Sequence, residues 1–173
     1  MSLEPLLSAS PVIQIHAYAA IAAFALGGFV LFRSKGDSGH RRLGRFWVIL
    51  MIATAVSSFF IWEARTFGLF SPIHILSLVT LFTLWLGVRH ARRRNIRAHL
   101  YTMQALYLLS LEIAGWFTFM PGRIMNEVVF GPAGGGPWES ASFLVASFAV
   151  GAALIWLVRR ATKHGPTRRR VAV

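Results

Sequence analysis

The chain has 173 residues, of which 55% are hydrophobic and only 14% are charged. Soluble domains carry roughly 25% charged residues, so this composition leaves too little polar surface for a water-soluble fold of this size. The net charge of +12 lies in short segments between long apolar runs, which is typical of membrane proteins and argues against nucleic acid as a partner. There are no cysteines, which excludes disulfides, iron–sulfur clusters and thiolate chemistry.

Five apolar segments follow one another along the chain. A spanning helix needs roughly 17–25 apolar residues, and in lipid the backbone must satisfy its own hydrogen bonds, so each segment is predicted to be a helix. The predicted helices cover about residues 12–32, 46–62, 72–88, 100–120 and 141–158. We therefore expect a single all-α domain over residues 1–173, with a bundle of about five transmembrane helices and a basic cytoplasmic tail at 159–173.

The basic residues predict the orientation. All but two of the 18 Lys and Arg residues lie in the loop after the first segment, the junction after the third segment, or the tail; the exceptions are Arg65 and Arg123. The positive-inside rule then places the N-terminus outside and the C-terminus in the cytoplasm. The expected location is a bacterial inner membrane, crossed several times, with anionic lipids bound at the Arg-rich cytoplasmic face.

Two histidines are expected near the outer face. His16 lies about 6 Å inside the first helix, and it shares a helical face with small residues, Ala19, Ala23 and Gly27, that permit close helix packing. His74 lies near the outer end of the third helix at a similar depth. Two imidazoles facing each other across a bundle can ligate a haem iron or another metal. The alternative left open is that they are packed histidines that never meet.

Two further histidines are expected near the inner face. His40 precedes the second apolar segment, and His99 opens the fourth. Arginines surround both, and paired histidines with nearby arginines would suit a haem and its propionates. The alternative is an ordinary polar interface, and for His90, which closes the third helix, that interpretation is favoured.

Glu112 is the one acidic residue predicted within the lipid core. It lies about 18 Å from the inner end of the fourth helix, and an ionisable group at that depth indicates function by default. The predicted roles are a hydrogen bond to a polar neighbour, orientation of a ligating histidine, or proton transfer.

Several segments together resemble a bacterial family of small predicted membrane proteins of unknown function, marked by an H-R-x-L-G-R loop. The segments are His16 to Ala20, His40 to Val48, Ile73 to Ser77, Asn95 to His99, and Met120 to Arg123. The resemblance implies that His16, His40, His74 and His99 belong to the family's motifs, and it supplies no reaction. In outline the chain is also similar to haem-b membrane electron carriers of the cytochrome b561 type, without a shared motif.

Three functions compete at this point, and they leave open whether the protein is an enzyme. The first is an electron carrier that binds haem b, with His16 and His74 as iron ligands and a second site at His40 and His99. The second is a non-enzymatic assembly factor that binds a membrane partner or a second copy of itself. The third is a small transporter that uses Glu112.

Overall fold

The computed structural model describes residues 2–33, 35–61 and 72–139, and beyond them residues 141, 142, 145, 146, 149, 152, 153, 156 and 160. All regular secondary structure within these residues is helical. The helices are α1 (Glu4–Leu7), α2 (Pro11–Phe32), α3 (Ser38–Ser58), α4 (Pro72–Arg92), α5 (Ile96–Leu106), a π-helical turn (Tyr107–Leu111), α6 (Glu112–Phe119) and α7 (Ile124–Phe130). The predicted helix at 141–158 and the tail at 159–173 fall almost entirely outside the described residues.

Helix α2 (Pro11–Phe32) agrees to within one residue with the helix predicted at 12–32. Pro11 occupies its first turn, where a missing backbone N–H removes no helical hydrogen bond. The helix ends at Phe32, where the apolar run ends, and Arg33 turns to an extended conformation.

Helix α3 begins eight residues before the predicted start at about Phe46. Its cap explains the difference, since the Asp37 carboxylate accepts a hydrogen bond from the His40 N–H at 2.6 Å. That bond satisfies one of the free donors of the first turn, so the polar segment folds as helix before any apolar residue is reached. The same carboxylate pairs with the Arg33 guanidinium at 2.8 Å, which joins the end of α2 to the start of α3.

Helices α4 and α5 are both longer than the hydropathy pattern predicts at the end where they meet. Helix α4 continues through Arg92, and α5 begins at Ile96, capped by the Asn95 side chain, which accepts from the Ala98 N–H. Polar residues are tolerated there because their side chains reach water or lipid head groups. The fourth predicted helix is also not uniform, since a π-helical turn separates α5 from α6.

The four long helical segments form a ring. Helix α2 packs against α3 and the π-helical turn, and α4 packs against α3 and α5. Consequently α2 and α4 occupy opposite corners, as do α3 and α5. We call the end where α2 and α4 finish and α3 and α5 start the basic end. The opposite end is covered by α1 and α7, which pack against each other, and we call it the capped end.

The buried core lies between the middle of the ring and the basic end. Its members are Ala23, Trp47, Met51, Leu84, Leu106 and Tyr107. Around it, large apolar side chains point outwards, and Ile49, Leu78 and Phe82 are each more than half exposed. A soluble monomer rarely presents so continuous an apolar surface, whereas a lipid bilayer requires one.

By length and composition, two of the described helices could cross a membrane, at Pro11–Leu31 and Ile73–Arg92. A third span results if Ile96–Phe119 and Ile124–Phe130, bent by 76°, are counted together. Helix α3 has a comparable length, but its first two turns carry Arg41, Arg42 and Arg45. The fold is thus an all-helical one with two or three candidate spans, and the count of about five and the orientation stay predictions.

Candidate functional site

A cavity of about 410 Å³ lies inside the ring at its capped end. Side chains of α2, α3, α4 and α6 form its walls, and α1 and α7 contribute from the capped end through Leu6 and Ile124. The walls are mostly apolar and include Ile13, Ala17, Ala20, Phe24, Met51, Ala55 and Leu76. Ligand sites in proteins have this character, with volumes of roughly 300–1,000 Å³ and a few polar groups among apolar ones.

Four of the polar side chains in the cavity wall are hydroxyls that join neighbouring helices. Ser58 of α3 meets Ser77 of α4 at 2.5 Å, and the Thr80 hydroxyl donates to Ser110 of the π-helical turn at 2.9 Å. All four side chains line the cavity and are buried. These bonds satisfy the hydroxyls without water, so the wall carries polar groups at little cost in a lipid environment.

His16 lies in the wall of this cavity, as its small-residue face predicts. Its Nδ1 is 3.0 Å from the Ser57 hydroxyl, and Ala19 and Ala23 on the same face are buried against the bundle. His74 is 6% exposed, and its ring stacks on Phe59 with the centroids 5.7 Å apart. Both histidines therefore contact residues at the end of α3, His16 at Ser57 and His74 at Phe59, and α3 lies between α2 and α4.

Next to the cavity, on the side of the basic end, two aromatic side chains hydrogen-bond to the backbone of α2, and we call this pair the aromatic floor. Trp47 Nε1 donates to the Ala23 carbonyl at 2.9 Å, and the Tyr107 hydroxyl donates to the Phe24 carbonyl at 3.1 Å. Gly27 makes the approach possible, because a Cβ there would lie 2.6 Å from both Trp47 Nε1 and Tyr107 Cδ2. Neither ring lines the cavity; the pair packs behind Phe24 and Met51, which do.

The π-helical turn positions two of these side chains. It carries Tyr107 to the floor and Ser110 to the wall. Such a turn inserts an extra residue into a helix and occurs frequently at functional sites. Glu112 follows it directly as the first residue of α6. The Glu112 side chain lies outside the described part of the structure, so its predicted roles stay predictions.

One buried asparagine holds helix α7 in place; α7 and α1 together form what we call the cap. Asn126 of α7 is 0% exposed; its amide donates to the Phe119 carbonyl at 2.7 Å, and its oxygen accepts from the Gly135 N–H at 2.6 Å. Arg123, at the start of α7, lines the cavity. Hydropathy signals neither residue, because a seven-residue helix within a loop has no periodic pattern long enough to detect.

The second pair of predicted histidines lies at the basic end. His99 Nδ1 is 2.9 Å from the Gly87 carbonyl, and since a carbonyl only accepts, Nδ1 carries the proton and a neutral ring leaves Nε2 as a lone pair. His40 Nδ1 is buried without a hydrogen-bond partner among the described residues. Burial first, and then the positive charges of His99 and Lys35, lower the pKa of His40 below its usual value, while Asp37 opposes them. The two imidazoles thus lie within electrostatic reach of each other.

Lowering the pH is expected to destabilise the protein through His40. Because its pKa is lower in the folded than in the unfolded chain, the unfolded chain binds more protons, and stability falls as the pH drops through about 6.5. The thermal midpoint of wild type should therefore fall more between pH 8 and pH 5.5 than that of His40→Gln. Equal falls in the two proteins would contradict this assignment.

Among the described residues, no group of three or more His, Cys, Asp or Glu side chains could hold a metal ion. A haem iron needs only two axial ligands from the protein, so that finding concerns bare metal ions.

Fold and cavity together define an all-helical protein of the membrane class, with an internal site built from apolar walls and buried hydroxyls. The chain matches the family described as "Predicted membrane protein (DUF2306)" over residues 13–113. The match covers more than half of the chain, and the protein belongs to this family. It confirms the predicted membership of a family of membrane proteins, while the loop motif and the bacterial origin stay predictions. No curated protein and no solved structure matches the chain significantly.

Proposed function

We propose that the protein is a membrane-embedded binding protein whose ligand occupies the cavity at the capped end. The observation that carries this proposal is the internal space of about 410 Å³ with four buried hydroxyls and His16 in its wall. The space is partly open at its surface, so a small molecule can reach it without unfolding the bundle. Apolar walls in a membrane protein favour a lipophilic ligand that enters from the bilayer.

The proposal is tested by filling the cavity. Ala17 lines it, so Ala17→Trp places an indole in the ligand space. Ala22 is on the same helix but exposed to lipid, and Ala22→Trp is the matched control. Each protein is extracted from its native membrane in polymer-bounded discs, and the bound small molecules are extracted and identified by mass spectrometry. We expect one compound to be enriched near stoichiometry with wild type and Ala22→Trp and lost from Ala17→Trp. The same profile for all three would overturn the proposal.

A haem-b electron carrier is the second candidate, and the positions of four histidines favour it. His16, His40, His74 and His99 lie near the starts of α2, α3, α4 and α5, one on each helix. The first and third are near the capped end on opposite corners of the ring, and the second and fourth are near the basic end on the other two corners. A haem held between opposite helices would be ligated by such pairs and would supply one-electron transfer.

The geometry at the basic end fits ligation in one further respect. Histidines that ligate metals almost always donate their other ring N–H to a carbonyl or carboxylate, as His99 does to the Gly87 carbonyl. The arginines near the start of α3 could pair with propionates.

Absorption spectroscopy tests the haem candidate directly. Protein produced with ample haem should show a Soret band and a reducible α-band, and His99→Ala should diminish both by removing a ligand. His90→Ala, which changes a histidine of the same end that is assigned no ligand role, should leave the spectrum unchanged. A colourless wild-type protein would eliminate this candidate and leave the cavity proposal standing.

A further inference from the structure

The cavity has a cationic side chain at its capped end and apolar walls below it. Arg123 lines the cavity and is partly buried. The only ion pair among the described residues joins Arg33 to Asp37 at the basic end, so no described carboxylate neutralises Arg123. An arginine in the wall of an apolar space favours an anionic partner, because Arg stays charged and forms strong bonds with carboxylate and phosphate groups.

The dimensions of the site limit the rest of the ligand. The α2 wall runs from Ile13 to Phe24, which corresponds to a depth of about 16 Å. Phe24 and Met51 line its far end, and the aromatic floor packs behind them. A volume of about 410 Å³ is at the lower end of the range for ligand sites, which suits one flexible chain better than the two chains of a phospholipid.

We infer that the cavity binds a single-chain anionic amphiphile, with its carboxylate or phosphate at Arg123 and its hydrocarbon chain extending towards the floor. This inference rests on the proposed function and adds the chemical class of the ligand. This assigns a role to the cap. Arg123, directly before α7, contacts the head group, and Asn126 of α7 holds the helix to the loop that follows it.

Photolabelling with two matched probes tests the inference. The probes are palmitate and hexadecanol, each with a diazirine in the middle of the chain, and the protein is held in phosphatidylcholine nanodiscs. Cross-linked peptides are identified by mass spectrometry, and apparent affinity is measured by competition with unlabelled palmitate or hexadecanol. Palmitate is expected to label residues of the cavity wall and to bind at least tenfold more tightly than hexadecanol, because a hydrogen bond to a charged group is stronger than one to a neutral group.

Two variants separate the head-group contact from the cavity itself. Arg123→Gln should weaken palmitate binding by about tenfold and leave hexadecanol unchanged, since only the charged head group loses a partner. Arg42→Gln removes an exposed arginine at the basic end and should change neither. Ala17→Trp should abolish labelling of the cavity wall by both probes.

The possible failures are distinguishable. If both probes label the wall equally and Arg123→Gln changes neither, the anionic class is wrong and the binding function stands. If neither probe labels the wall, or if labelling persists unchanged in Ala17→Trp, the proposed function fails as well. A third measurement is the protection of Arg123 from an arginine-modifying reagent. If inorganic phosphate protects Arg123 and palmitate does not, the site binds an anion without a chain and the inference is overturned.

Discussion

Replacing Gly27 with alanine is expected to lower the free energy of unfolding by about 3 kcal/mol. The new Cβ would lie 2.6 Å from Trp47 Nε1 and from Tyr107 Cδ2, well inside van der Waals contact. Neither ring can withdraw freely, because each is hydrogen-bonded to a carbonyl of α2, at Ala23 and Phe24. Relief of the clash therefore breaks at least one buried hydrogen bond or separates the helices.

The measurement is unfolding of the purified protein in mixed micelles, followed by circular dichroism. Gly44→Ala is the matched control, because it adds the same methyl group inside a helix where nothing lies within 4 Å of the new atom. Alanine is the better helix former, so this control should be neutral or slightly stabilising. Equal stability of the two variants would show that the aromatic floor is not packed against α2.

Replacing Asn126 with alanine is expected to open the cap at a cost of about 3 kcal/mol. The side chain is fully buried and bonds to the Phe119 carbonyl and the Gly135 N–H. Alanine leaves both backbone groups without those bonds in an apolar setting, and an unsatisfied buried polar group costs about 1–3 kcal/mol. The effect should be local, because α7 contacts α1 and α6 and not the basic end.

Hydrogen exchange locates that effect. The Gly135 amide should exchange much faster in Asn126→Ala than in wild type, and proteases should cleave within 131–136, while the amides of α2 and α4 stay protected. Asn95→Ala is the comparison, since Asn95 is exposed and its side chain makes one capping bond, to the Ala98 N–H. Its loss should cost only about 1 kcal/mol. Unchanged protection at Gly135 would mean that the cap does not depend on Asn126.

The difference between predicted and observed helices has a physical cause in each case. Helix α2 agrees closely because hydropathy alone defines a helix bounded by Pro11 and Arg33. The start of α3 was displaced because a capping carboxylate at Asp37 outweighs the lack of apolar residues in the following turns. The π-helical turn has no hydropathy signal, since it arises where Ser110 and Tyr107 each find a partner on another helix.

Single residues of the candidate site could be predicted from the sequence, but the cavity itself could not. His16 could be placed inside the bundle because small residues follow it along one face. Arg123 gave no such signal, because it lies in a loop in the sequence and reaches the cavity only through α7. The volume of the cavity depends on side chains from six helices at once, so no short sequence pattern predicts it.

By itself, the sequence determined that this protein is helical and belongs in a membrane, because the transfer of long apolar runs out of water depends on composition and order alone. It also determined that four histidines lie near the starts of four successive helices. Only the tertiary structure decided that the ring holds a cavity, that Trp47 and Tyr107 pack behind it against α2, and that Arg123 lies at its capped end. Those features follow from packing between residues distant in the chain, where Gly27 admits two rings and paired hydroxyls replace water.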